Sequence, residues 1–230
     1  MLWNPSGGIV KRYKKKIADR YDISGLVEAQ FEPGSHRLVL KNLLGIRRKR
    51  EMDRLEGLEQ LRALRELIKI YGKSHQFASA DICRIHRIWL KNIYPWAGKY
   101  RQVNLTKNNF TFTAANQVAR LMEELERGPL REFTPCRFDT IDKRVKALAV
   151  VHTELVLIHP FRDGNGRVAR LLATLMALQA ELPPLDFGNL KGYRRKAYYE
   201  AIGAGLDRQY KPMEDVFNGV IRKTLRKRRT

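Results

Sequence analysis

Apolar residues recur three to four apart through most of the chain: Leu55, Leu58, Leu61, Leu64 and Ile68, then Ile82, Ile85 and Trp89, then Val118, Leu121, Met122 and Leu125. Each set marks one face of an amphipathic helix. A further helix is predicted from about Thr140 to Ile158, with Ile141, Val145, Leu148 and Leu155 on one face, and another from Arg167 through Leu178, rich in Leu, Ala and Met. These two are expected to form the centre of a bundle. Pro183 and Pro184 break the chain, after which Ala197, Tyr198, Ala201 and Ile202, then Met213, Phe217, Val220 and Ile221, predict two closing helices. The fold class is therefore mainly α. One segment departs from it: Tyr100 to Lys107 alternates polar residues with Val103 and Leu105, Asn108 and Asn109 make a turn pair, and Phe-Thr-Phe-Thr follows. That pattern predicts a short β-hairpin, which has little stability alone and must pack on the bundle or accept a third strand from elsewhere. Its open edge is a candidate docking site for an extended peptide.

At 230 residues and 43% apolar, the chain can bury one sizeable core, which excludes a disordered or disulfide-scaffold protein. The core is expected over residues 38–220, between a basic extension at 1–37 and a basic tail at 221–230. Lys and Arg exceed Asp and Glu by 21, with clusters at Lys11, Arg12, Lys14, Lys15, Lys16 and Arg20 and from Arg222 to Arg229. An anionic partner follows, and nucleic acid, a nucleotide, an acidic protein and an anionic membrane surface all satisfy the charge, as does a solvated basic face. Cys83 and Cys136 stand in no ligand spacing, so they predict buried thiols, a reducing compartment and no zinc site. No apolar run reaches the length of a membrane span, and a cytoplasmic protein is expected.

Chemistry concentrates between the two central helices, at His159-Pro160-Phe161-Arg162-Asp163-Gly164-Asn165-Gly166-Arg167-Val168-Ala169-Arg170. Pro160 disfavours α geometry at His159 and ends the preceding helix there, leaving the imidazole at a helix end. Gly164 and Gly166 permit a tight turn, and their amides with that of Asn165 form an anion nest at the next helix N-terminus. Arg167 and Arg170, three apart on the first turn, can pair with phosphate oxygens. Asp163, the loop's one acid, suits Mg²⁺ bridging those phosphates. His159, neutral near pH 7, can take a proton from an attacking hydroxyl. Phe161 reads as a packing anchor within this binding loop. The implied chemistry is nucleotidyl or phosphoryl transfer.

The segment resembles the signature of the Fic (filamentation induced by cAMP) family, HPFx[D/E]GNGRxxR, and matches it at every specified position. The stretch Tyr94-Pro95-Trp96-Ala97-Gly98-Lys99-Tyr100-Arg101 is similar to the one preceding the family's flap. The resemblance implies a Fic-type helical bundle with a hairpin flap, moving AMP from Mg-ATP to a Ser, Thr or Tyr hydroxyl of a target protein. It implies that His159 is the general base, Asp163 the Mg²⁺ ligand, and Gly164, Asn165 and Gly166 the anion hole. Arg167 would serve the phosphates, Arg170 the γ-phosphate, and Phe161 would sit in the nucleotide-binding loop. The flap at 100–112 would dock the target, and Tyr198 with Ala201 would border the adenine. A Doc-like phosphotransferase is the enzymatic alternative, although Gly166 stands where that variant has Lys. A nucleic-acid-associated regulator with a self-modifying site is the other.

Many relatives carry an inhibitory [S/T]xxxE[G/N] helix whose Glu pairs with the second signature Arg. Ser24 to Glu28 supplies SxxxE, but Ala29 follows where Gly or Asn is expected. Glu28 as a cis brake on Arg170 and a separate antitoxin-like partner are both carried forward. Elsewhere, His152 falls on an apolar helix face and reads as a bonded core histidine, while His36, His75 and His86 form no ligand spacing. Trp89 and Trp96 read as packing residues, and Gly72-Lys73-Ser74 lacks the earlier Gly of a phosphate loop, position 67 being Leu.

Overall fold

A short run of helices wraps one long buried helix, and the loop that follows that helix carries the candidate chemistry. The computed structural model describes residues 25–107 and 110–227. The elements are α1 (Lys49–Ile70), α2 (Ser79–Leu90), β1 (Thr106–Lys107), β2 (Phe110–Thr111), α3 (Val118–Leu125), α4 (Ile141–Ile158), α5 (Asn165–Gln179), α6 (Tyr193–Ala204) and α7 (Lys211–Lys227). Among the described residues no helix is long and apolar enough to cross a membrane.

Helix α4 packs against both α5 and α7, and α6 lies on α7. Its N-terminus is capped by Thr140, whose Oγ1 accepts from the Lys143 amide. Val145, Leu148, His152 and Leu155 are buried as their spacing predicts, but Ile141, expected on that face, is 46% exposed. It is the first helical residue, with no element above it. Helix α5 starts at Asn165, two residues before the predicted Arg167, because Gly164 serves as its N-cap. Met213, Phe217, Val220 and Ile221 of α7 are all buried. That helix runs through the predicted tail boundary to Lys227, and the Oγ1 of its buried Thr224 accepts from the Asp186 amide.

The first helix corrects the sequence reading. Leu58 and Leu61 are more than half exposed and Ile68 is exposed, whereas Met52, Glu56, Ala63 and Leu67 face the core. Both stripes have helical spacing; the buried one contains a carboxylate, so the apolar pattern passes it over. Its reason appears only at the site. Of the thiols, Cys136 is buried and Cys83 only half-buried.

The hairpin is shorter than predicted, pairing Thr106 with Thr111 and Lys107 with Phe110. The turn at Asn108 and Asn109 lies outside the described residues. Residues 100–105 are not strand, because Arg101 anchors them elsewhere: its amide donates to the Pro160 carbonyl, its Nε to the His159 carbonyl at 2.7 Å and its Nη1 to the Val103 carbonyl at 2.8 Å. The guanidinium thus ties the flap base to the signature loop. At the other boundary, a bridge between Phe31 and Leu40 joins the predicted extension to the core. Ser24 and the basic residues 11–20 lie outside the described residues.

Candidate active site

His159 ends α4 in a left-handed conformation, φ 53° and ψ 58°, with its amide still bonded to the Leu155 carbonyl. Helix geometry cannot continue into Pro160, so the chain turns out there and the ring is carried to the cleft. Nδ1 lies 3.0 Å from the Val156 carbonyl, which can only accept; Nδ1 therefore carries the proton and Nε2 keeps its lone pair. The ring stacks on Phe112 at 3.7 Å between centroids. Burial pushes its pKa down to about 4, against a smaller upward effect from the Val156 carbonyl.

The turn into α5 follows from its small and amide side chains. Gly164 has φ +84°, a conformation glycine adopts without strain. Asn165 is buried and staples the loop, accepting from the Phe161 amide at 2.8 Å and donating to the Phe161 carbonyl at 2.7 Å. Its contribution to anion binding is confined to its backbone. The Gly164 amide, expected in the anion nest, instead donates to Asp163 Oδ1. The Asn165 and Gly166 amides, in the first turn of α5, have no acceptor among the described residues and remain the nest.

Arg167 and Arg170 both reach the same cleft of about 460 Å³, which His159, Asp163, Gly164, Asn165, Gly166 and Tyr198 also line. A volume of this size suits a small organic ligand. Arg170 lies against the Tyr198 hydroxyl, and the same hydroxyl is 2.8 Å from His152 Nε2. Arginine can only donate, so the tyrosine proton points to His152, which is neutral: burial pushes its pKa down to about 3. His152 is thus a bonded core histidine that orients a cleft residue.

Residues 76–177 match the model of the Fic/DOC family. Over those residues the chain carries a Fic/DOC domain. It is 32% identical over 174 residues to the protein adenylyltransferase fic-1 of Caenorhabditis elegans, an alignment covering 74% of this chain and 32% of that protein. It is 31% identical over 144 residues to the protein adenylyltransferase VbhT of Bartonella schoenbuchensis, covering 62% of this chain and 29% of that one. The chain thus spans about a third of the length of the curated relatives it matches. In structure it resembles BepC from Bartonella tribocorum, solved with bound AMPPNP, with a TM-score of 0.68 at 21% identity over 85% of this chain and 97% of that one. The N-terminal Fic domain of a Bartonella quintana effector with bound ADP superposes with a TM-score of 0.66 at 22% identity, covering 84% and 94% of the two chains. The fold is the Fic fold.

Within this Fic domain some predicted residues stand elsewhere than expected. Phe161, included among the nucleotide-binding residues, is fully buried and stacks on His86 with centroids 3.9 Å apart, so it lies beneath the loop and not in the cleft. Ala201 is fully buried on the opposite side of α6, and Tyr199, Ile202 and Gly203 join Tyr198 at the cleft instead. Glu28 does not meet Arg170. Its carboxylate accepts from the Gln102 amide at 2.6 Å and its carbonyl accepts from Arg162 Nε at 2.8 Å, bracing the flap base.

Residues outside the signature complete the site. Lys107 and Phe110 of the flap line the cleft with Phe112. His86, dismissed for its spacing, is a pillar: Nδ1 accepts from the Gly98 amide at 2.7 Å, so Nε2 carries the proton and donates to the Asp163 carbonyl at 3.2 Å. Burial pushes its pKa down to about 4. Trp89 and Trp96 are packing residues, as predicted.

Proposed function

We propose that this Fic domain transfers AMP from ATP to a hydroxyl of a target protein. The observation that carries the reading is His159, whose protonated Nδ1 is spent on a carbonyl while Nε2 faces a cleft that also holds two arginines and an amide nest. His159 Nε2 takes the proton of the target hydroxyl; its oxygen bonds to the α-phosphorus as the bond to pyrophosphate breaks. Arg167, Arg170 and the Asn165 and Gly166 amides hold the phosphates, and Tyr198 borders the nucleoside. The names of the adenylyltransferase relatives support this donor, and Gly166 in place of Lys speaks against the Doc-like phosphotransferase.

Asp163 fits a divalent cation of the magnesium type. Its side chain is half exposed, and it is the one carboxylate that lines the cleft among the described residues. Such a donor set suits an ion completed by phosphate and water. When bound, the ion would neutralise phosphate charge. The target is assigned to the flap near 100–112, whose short hairpin edge lies next to the cleft through Phe110 and Phe112. Among the described residues no carboxylate pairs with Arg170, so an antitoxin-like partner is the proposed source of any restraint.

The test is incubation of the chain with α- and γ-³²P-labelled ATP, Mg²⁺ and a cell lysate across pH. Protein is expected to take label from the α position only. Because His159 titrates near 4, the neutral base is present at all higher pH, so the rate should stay level from pH 8 to about 5 and fall below that. Label from the γ position alone would replace this reading with phosphoryl transfer, and a fall centred near 6.5 would mean that burial does not depress the His159 imidazole in the working enzyme.

A second reading, association with nucleic acid, is favoured by the groove between α6 and α7. Arg194, Arg222 and Arg226 line it, and none of the three is in an ion pair among the described residues. Tyr193 at the start of α6 is 76% exposed. Binding of a labelled oligonucleotide that weakens steeply with salt, and weakens further in Arg222→Ala/Arg226→Ala, is expected; salt-independent binding, or none, rejects it.

A further inference from the structure

The buried carboxylate of α1 explains why that helix turns its apparently wrong face inward. Glu56 is 2% exposed, and both oxygens are engaged: Oε1 accepts from the Tyr94 hydroxyl at 2.7 Å and Oε2 from Arg167 Nη1 at 2.6 Å. Its backbone carbonyl accepts from Trp89 Nε1 at 2.9 Å, and the Arg167 guanidinium lies 4.5 Å over the Trp89 ring. One edge of the guanidinium is therefore tied down, its face is supported, and the other edge remains. That edge looks toward Asp163, with Nη2 3.9 Å from Oδ1.

The distance of 3.9 Å is longer than a hydrogen bond. Asp163 precedes the N-cap of the helix that carries Arg167, yet two opposite charges 3.9 Å apart would draw into a hydrogen-bonded pair without a competing carboxylate. We infer that Glu56 is a positioning residue that holds Arg167 back from Asp163. The Asp163 carboxylate, whose Oδ1 accepts from the Gly164 amide, then keeps its remaining lone pairs for a divalent cation, and the outer edge of Arg167 is left for phosphate. This inference rests on the nucleotide-binding reading above. Tyr94 acts with Glu56 by fixing its second oxygen, and Trp89 keeps the guanidinium plane from turning.

The proposal makes Glu56 act on the cation through Arg167, which a merely structural ion pair would not do. The probe is Mn²⁺, titrated by electron paramagnetic resonance into the full chain saturated with ATP, for wild type, Glu56→Gln, Arg167→Ala and the double variant, each checked by thermal melting. Loss of an outer-sphere partner commonly weakens metal binding by one to two orders of magnitude, so Glu56→Gln is expected to weaken Mn²⁺ about 10-fold. In the Arg167→Ala background the same change should have no effect, because nothing is left to collapse onto Asp163. Tyr94→Phe, which preserves the ring and the charge, should produce a smaller loss in the same direction and serves if Glu56→Gln does not fold. Unchanged or tighter Mn²⁺ binding in Glu56→Gln or Tyr94→Phe, or an equal loss in both backgrounds, overturns the inference. A wild-type chain that binds no ATP overturns the nucleotide reading itself.

Discussion

His159→Ala is expected to reduce protein labelling from α-³²P-ATP by at least about 100-fold, the usual contribution of a positioned general base. ATP should still bind. The imidazole lies at the end of α4, whereas the amides and arginines assigned to the phosphates belong to α5, so the two functions separate by element. What the substitution removes is one lone pair: Nδ1 is committed to the Val156 carbonyl, and the Phe112 ring holds the plane of the imidazole. The depressed pKa has two consequences. The base is neutral from pH 8 down to about 5, and its lowered pKa makes it a weak base, so its value lies in placement more than in basicity. Single-turnover labelling alongside calorimetric titration of ATP checks both halves. Transfer that survives in His159→Ala would mean that another group, or the hydroxyl unaided, loses the proton.

Gly164→Ala is expected to lower stability by about 2–5 kcal/mol, adding the cost of overpacking a core to that of a left-handed non-glycine residue. At φ +84° a Cβ would stand 2.7 Å from Trp89 Cζ3 and 3.2 Å from Cη2. Neither neighbour can yield cheaply. Trp89 is fully buried with Nε1 bonded to Glu56, and the next contact, His86 Nε2 at 3.5 Å, is itself held from both ring nitrogens. The loop must move instead, carrying with it Asp163 and the Asn165 and Gly166 amides. Urea unfolding should show the stability loss, and calorimetry a loss of ATP affinity beyond what partial unfolding explains. A variant as stable as wild type would mean that Trp89 is less firmly seated than its contacts indicate.

These two positions illustrate how differently the site was written into the chain. His159, Asp163, Gly164, Asn165, Gly166, Arg167 and Arg170 fall within twelve residues, because a helix end, a tight turn and a helix start are local structures with local requirements. Their chemistry was legible for that reason. Phe161 is the packing anchor that its place in the loop suggested and does not line the cleft, and Ala201 faces away from it, because what lies behind the loop and behind α6 is not written in either segment. The alternative of Glu28 as a brake on Arg170 rested on a spacing alone, and the structure puts Glu28 against Gln102 and Arg162. Glu56 and His86 were invisible as site residues. Their partners are 38 and 111 residues away for Glu56 and 77 for the His86 contact to Asp163, and no period in the sequence records a separation of that size.

By itself the sequence determined the helical class, the positions of α2 through α7, the existence of a hairpin and the residues of the signature loop, because each rests on spacing or on backbone chemistry within a few residues. Only the tertiary structure decided which face of α1 is buried, how far the hairpin extends and what holds the signature side chains in place. A buried carboxylate is unfavourable until its partners surround it, and those partners come from α2, the segment after it and α5. Until the chain is folded, Glu56 is one more polar residue on a helix; once folded, it binds Arg167, which lies beside Asp163 at a distance too long for a hydrogen bond.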